Sequence, residues 1–226
     1  MIVVTGASKG IGKAISERLV KSGQEVLGIS RTGQHPEFPI HHADVSDLDS
    51  LRAISEKIRK DKQCISALIN TAGIASMNLA LLANKKSSED VMKVNFLGTL
   101  FACQAFVPLI IRNSGGHVIN FSSIAAKINL QGESVYAASK AAIENFTRTL
   151  AKEVSSFNIS VNCIAPGPIQ TDLLLGLAYK QINDVIDYQI FKKQYELDDV
   201  CDLVEVLLDD KAKMLTGEVL HIGGVR

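Results

Sequence analysis

Ile2-Val3-Val4-Thr5-Gly6-Ala7-Ser8-Lys9-Gly10-Ile11-Gly12 is the stretch on which the fold turns. The β-branched run Ile2–Thr5 reads as a buried strand. Glycines at G-x3-G-x-G spacing follow it, and helical periodicity then runs from Ile11 to Ser22, where Gly23 supplies a C-terminal stop. A strand that passes through a glycine-rich turn into a helix lets the backbone close on a pyrophosphate at the helix N-terminus.

Outward from this unit the pattern repeats. Strands are expected at 25–30, 39–42, 65–70, 117–122, 159–165 and 218–222, with helices at 47–61, 88–113, 136–156 and 197–209. The alternation predicts an α/β, Rossmann-type doubly wound, mainly parallel seven-stranded sheet with helices on both faces. Residues 1–226 are expected to form a single dinucleotide-binding and catalytic domain. Two connections depart from regularity. Residues 31–38 are rich in Gly, His and Pro and leave no room for a helix between the second and third strands, and 166–196 is long enough to be a substrate lid. Ser76–Ser88 reads as a polar stretch before the longest helix.

Composition narrows the function classes. Lys plus Arg and Asp plus Glu both number 24 in 226 residues, so no global field recruits nucleic acid or anionic lipid. No apolar run is expected to approach the roughly 18 residues of a spanning helix, and the start lacks a signal peptide's basic region. A cytoplasmic protein without membrane or nucleic-acid partners is expected. Cys64, Cys103, Cys163 and Cys201 lie far apart and read as buried small hydrophobes. His35, His41 and His42 lack a carboxylate to complete a ligand set, so no metal site is expected.

Ser30-Arg31-Thr32 ends the second strand, where an acid would bind a ribose 2′-hydroxyl and a base a 2′-phosphate. Arg31, with Lys9 from the glycine loop, favours NADP(H) over NAD(H). Tyr136-Ala137-Ala138-Ser139-Lys140 places tyrosine and lysine on one helix face, with Ser123 in a polar loop after the fifth strand. A phenol with an ordinary pKa near 10 needs nearby positive charge to work as an acid-base catalyst at neutral pH, and Lys140 offers it.

With Asp44-Val45, Asn70-Thr71-Ala72-Gly73, Lys93-Val94-Asn95-Phe96 and Pro166-Gly167-Pro168-Ile169-Gln170-Thr171 in the same order, the chain resembles the short-chain dehydrogenase/reductase family. Within it, the likeness is to the compact branch that includes 3-oxoacyl-acyl-carrier-protein reductases. The resemblance implies reduction of a ketone to an alcohol by hydride transfer. Tyr136 would be the general acid/base, Ser123 would hydrogen-bond the reacting oxygen, Lys140 would depress the Tyr136 pKa, and Asn95 would hold a water leading to Lys140. For the cofactor it implies Gly6, Ser8, Lys9, Gly10, Ile11 and Gly12 at the phosphates and Arg31 at the 2′-phosphate. Asp44 and Val45 would meet adenine, Asn70, Ala72 and Gly73 would line the adenosine and ribose side, and Pro166, Gly167, Ile169 and Thr171 would border the nicotinamide. Tyr136 and Lys140 would touch the cofactor too.

The implied partner is a small ketone or alcohol, free or carrier-linked, and the implied assembly is a homotetramer or homodimer. Ser114 and Phe157 stand where a carrier-binding enzyme tends to place basic residues, which leaves Lys180, Lys192 and Lys193 as substitutes. Two other functions fit the same residues: an alcohol, sugar or polyol dehydrogenase, and a nucleotide-sensing binding protein that keeps the fold without turnover.

Overall fold

Val3 lies between Leu27 and Leu68, because β1 (Ile2–Thr5) is flanked on both sides by parallel partners, β2 (Val26–Ser30) and β4 (Ala67–Asn70). In the computed structural model, which describes residues 1–170 and 179–225, β3 (Ile40–His42), β5 (Gly116–Phe121), β6 (Ile159–Ala165) and β7 (Val219–His221) complete one sheet. The strand order is β3-β2-β1-β4-β5-β6-β7 and every pairing is parallel, so the expected doubly wound architecture is present.

Alternate residues of each strand feed two cores. Val3, Leu27 and Leu68 face α2 (Leu48–Lys60), α4 (Gly98–Arg112) and α6 (Ser134–Glu153); Ile2, Val4 and Ile69 face α1 (Gly10–Lys21) and α8 (Leu197–Leu208). No helix joins β2 to β3, as expected. Phe38, only 3% exposed, fills the gap by packing with the α1-side core. Strand order reverses between β1 and β4, and the carboxyl ends at that switch point open the crevice where ligands bind in such sheets.

Several expectations need correction. The long helix begins earlier, as α3 (Lys85–Met92), and a π-helical turn at Lys93–Leu97 joins it to α4. The continuous helix Lys85–Arg112 contains an 18-residue window of mean hydropathy 1.9, so an apolar run of spanning length does exist. Half of that window is buried, and Ala102, Phe106 and Ile110 lie in the core beside α2, as in the central helix of a globular protein. Ser76–Ser88 is not uniformly polar, since it exposes Leu79, Leu81 and Leu82 around a 3₁₀ turn. Cys64 is exposed, because it lies in the turn between α2 and β4, while the other three cysteines are buried. The connection after β6 contains a helix, α7 (Tyr179–Asp187). A short α5 (Ala125–Ile128) follows β5.

Candidate active site

Each proposed site segment emerges from the carboxyl end of a strand: Gly6 after β1, Arg31 after β2, Asp44 after β3, Thr71–Gly73 after β4, Ser123 after β5 and Pro166 after β6. The parallel sheet therefore gathers them along one edge.

The glycine loop suits a pyrophosphate. The N-cap of α1 is Lys9, whose side chain makes no cap hydrogen bond, and the first turn carries no acidic residue, so the helix-end N–H groups and positive dipole end are left for an anion. Gly6 adopts φ +72°, and a Cβ there would lie 2.9 Å from the Ala72 backbone. A Cβ on Gly12 would overlap the Thr71 Oγ1 and the Gly6 carbonyl. This cradle, which side chains would fill, fits the phosphates of a dinucleotide. Ser8 touches the loop after β2 at Gly33, and Ile11 packs partly against the α1-side core. Lys9 and Arg31 are both exposed, and neither forms an ion pair among the described residues. Either can therefore meet a phosphate beside the loop.

Asp44 directs Oδ1 to the Ser46 N–H (2.9 Å) and hydroxyl (2.7 Å). Partial burial raises its carboxyl, but those hydrogen bonds and the charges of Arg31 and Lys93 outweigh it and hold the group below the usual range. Val45 is buried against Gly98. Asn70 turns inward: its Nδ2 donates to Asn120 Oδ1 (2.9 Å) and approaches Cys103 Sγ (3.5 Å). Asn120 in turn donates to Thr147 Oγ1 (2.9 Å), so this chain of amides ties β4 and β5 to α6. Asn70 Oδ1 is buried without a hydrogen-bond partner.

The reactive side chains converge on the N-terminal half of α6. Tyr136 and Lys140 share a buried face of that helix, with Ser139 between them. Lys140 Nζ lies 5.7 Å from the Tyr136 ring centroid and donates to the Phe121 carbonyl at 3.0 Å. Ser123 stands close enough to the Tyr136 phenol to oppose the rise in its pKa, and its Oγ accepts from Ala125 N (3.2 Å). Asn95 sits in the π-helical turn, a distortion often found at functional sites. Its Oδ1 accepts from Ile74 N (2.8 Å), and its Nδ2 donates to Ile74 O (2.9 Å) and Ser139 Oγ (3.0 Å). Gly73 faces both partners, since a Cβ there would stand 3.3 Å from Asn95 Oδ1 and 3.6 Å from Lys140 Nζ.

Burial dominates the electrostatics. It pushes the Tyr136 phenol up to about 12 despite the opposing effect of Ser123, with Glu133 adding to the rise, and it brings Lys140 down to about 8. The depression of Tyr136 expected from Lys140 is thus not a property of the polypeptide alone.

On the opposite wall, Pro166 accepts from Ile124 N (3.0 Å), Gly167 lies against Gln189, and Ile169, 4% exposed, forms a parallel bridge with Tyr195. Thr171, like Leu173–Leu175 and Leu177 of the expected lid, lies outside the described residues. Three neighbours escaped the sequence reading. Ser139 bonds the Tyr136 carbonyl (2.7 Å) as well as Asn95, and Thr71 bonds the Thr5 carbonyl. Glu133 carries a buried, unpartnered Oε2 one turn before Tyr136. Helical spacing from Tyr136 could have flagged Glu133 and Ser139; Thr71 stood inside a quoted motif. Among the described residues no cluster of ligating side chains could hold a metal. His35 instead bonds Glu17 (3.0 Å) and His42 bonds the Gly33 carbonyl (2.8 Å).

The chain's likeness to known proteins agrees with this geometry. Residues 1–181 match the family model described as short chain dehydrogenase. The 3-oxoacyl-acyl-carrier-protein reductase FabG of Buchnera aphidicola is 34% identical over 232 residues, covering 98% of this chain and 94% of that protein. FabG of Escherichia coli is 29% identical over 231 residues, covering 98% and 95%. A solved structure of Thermoplasma acidophilum aldohexose dehydrogenase in ligand-free form superposes with a TM-score of 0.89 at 28% identity, covering 99% of this chain and 92% of that one.

Proposed function

The chain belongs to the short chain dehydrogenase family, an oxidoreductase acting between an alcohol and a carbonyl, and from that premise we propose that it reduces a ketone, a 3-oxoacyl thioester by preference, with NADP(H). The observation that carries the proposal is the convergence of Tyr136, Ser123, Lys140 and Asn95 beside the strand ends. Residues 1–226 act together as one dinucleotide-binding and catalytic domain, in a cytoplasmic homo-oligomer.

The glycine loop holds the pyrophosphate, Lys9 and Arg31 the 2′-phosphate, Asp44 and Val45 border adenine, and Ile169 and Thr171 the carboxamide. A bound reduced nicotinamide supplies the hydride. Tyr136, raised by burial to about 12, is protonated at neutral pH and in the form that reduction requires, and the positive charge of Lys140 is what lets so weak an acid give its proton to the carbonyl oxygen. Ser123 hydrogen-bonds that oxygen as negative charge develops. Lys140, near 8, carries a proton at neutral pH, steadies the phenolate left behind and returns its proton. Asn95 uses its side chain to fix Ile74 and Ser139, keeping the loop after β4 in register with α6.

A sugar or polyol dehydrogenase is the second reading, favoured because Lys192 and Lys193, which would meet an acidic carrier, are already engaged within the chain. Lys192 is paired with Asp187 (3.0 Å), and Lys193 lies 3.9 Å from Asp199 and over the Tyr195 ring. NADPH consumption is the test, with acetoacetyl thioester, small ketones, sugar ketones and quinones as substrates and NADH in parallel. Turnover of the thioester with NADPH is expected. Failure of every carbonyl substrate overturns the proposal, and aldose-dependent reduction of NADP+ alone transfers it to the second reading.

A further inference from the structure

Gln189 is an uncharged polar residue with no exposed surface, and its Oε1 is buried with no hydrogen-bond partner. Buried acceptors are nearly always satisfied, so this orientation needs a cause. The amide Nε2 donates to the carbonyls of Phe191 (3.2 Å) and Lys193 (2.7 Å), two acceptors of a tight turn after α7. A flipped amide would set oxygen against both carbonyls, so Oε1 must face the other way, onto Gly167. A Cβ on Gly167 would overlap that oxygen and lie 3.1 Å from Gln189 Cδ. Gly167 does not occupy the left-handed region, so contact rather than backbone conformation excludes a side chain there.

The same amide touches a third segment. Gln189 Cδ is 3.3 Å from the Cβ position of Gly223, whose carbonyl accepts from both Ile190 N (3.1 Å) and Phe191 N (3.0 Å). Beneath Gly167 lies Ile124, next to Ser123, and Ile124 N donates to the Pro166 carbonyl. One side chain therefore presses together the loop after β6, the turn after α7 and the chain after β7, directly behind the oxygen-binding serine.

We propose that Gln189 is a positioning residue that fixes the path of Pro166–Ile169, and through it the nicotinamide end of the cofactor site, by occupying the space a side chain at Gly167 would need. The inference rests on the cofactor assignment above and concerns only the nicotinamide half. Its test compares NADPH with adenosine 2′,5′-bisphosphate, which carries the adenine and 2′-phosphate but no nicotinamide, by fluorescence or calorimetric titration of the full chain. Gln189→Ala is expected to weaken NADPH binding by about five- to tenfold, a coupling at the low end for separate groups, while the bisphosphate binds as to wild type. Gly167→Ala is expected to weaken NADPH in the wild-type background and to do so much less beside Gln189→Ala, because the obstructing oxygen is gone. Gln189→Ser, which also removes the obstructing oxygen but keeps a polar group, replaces the alanine variant should that fail to fold. Equal losses for both ligands, or no loss for either, overturn the proposal, as does a Gly167→Ala penalty that is the same in both backgrounds. Wild-type protein that binds neither ligand overturns the cofactor assignment instead.

Discussion

The connection from β2 to β3 and the connection after β6 flank opposite ends of the same cleft, and they are built in opposite ways. The first is pinned along its length. Phe38 is 3% exposed, His35 stacks on it with ring centroids 4.1 Å apart and bonds Glu17, and His42 bonds Gly33. The second, among the described residues, is held at its feet by Ile124, the Ile169–Tyr195 bridge and the Gln189 turn, while Ile190 and Phe191 are 58% and 69% exposed. On the proposed reading the adenine end would meet the same group in every turnover, and it is served by a wall that needs no helix. The other end, where the proposed substrate would enter, presents apolar side chains to solvent.

The largest effect lies between these regions. Tyr136→Phe should lower kcat by about 10²–10⁴-fold while NADPH affinity holds, because both walls remain; steady-state rates and a binding titration check both halves. A matched pair of truncations then sets one connection against the other. Phe38→Ala should destabilise by about 3–5 kcal/mol, lowering Tm by roughly 6–20 °C. Phe191→Ala should stay within about 0.5 kcal/mol and change substrate KM instead. Equal Tm losses in a thermal scan would erase the contrast.

Lys140 sharpens the comparison from the centre. Its folded pKa of about 8 lies below the ordinary 10.5, so the folded protein binds fewer protons between the two values. Stability should therefore rise with pH from about 8, by up to on the order of 3 kcal/mol, and the cost of the buried cation should be full below 8. Tyr136 opposes this only above its ordinary value of 10. Urea unfolding at pH values on either side of this rise should show it in wild type and not in Lys140→Met. The adenine wall gives a binding effect of its own. Arg31→Ala should weaken NADPH about 10–100-fold, the scale of a charged hydrogen bond, and leave NADH unchanged in the same titration.

Where sequence was legible, one local cause dominated. All seven expected strands are present, including the short third one at Ile40–His42, and the His- and Pro-rich 31–38 stretch has no helix, as expected. The Y-x3-K spacing put Tyr136 and Lys140 on one helix face. What stayed hidden depends on contacts between distant segments. The π-helical turn around Asn95 has no composition of its own, because the bonds from Asn95 to Ile74 and Ser139 come from another loop and another helix. α7 carries its apolar residues at Ile182, Val185 and Ile186, but it lies within a longer apolar tract that blurs the helical period. Gln189 reads as an ordinary surface residue until Gly167 and Gly223 are brought against it.

Hydride transfer from NADPH dideuterated at C4 of the nicotinamide to acetoacetyl thioester, followed by mass spectrometry of the product, tests the central claim most directly. Deuterium on the carbinol carbon of a 3-hydroxyacyl thioester is the predicted result, with the transfer abolished by Tyr136→Phe. An unlabelled product, or a labelled one formed at the same rate by Tyr136→Phe, would contradict it.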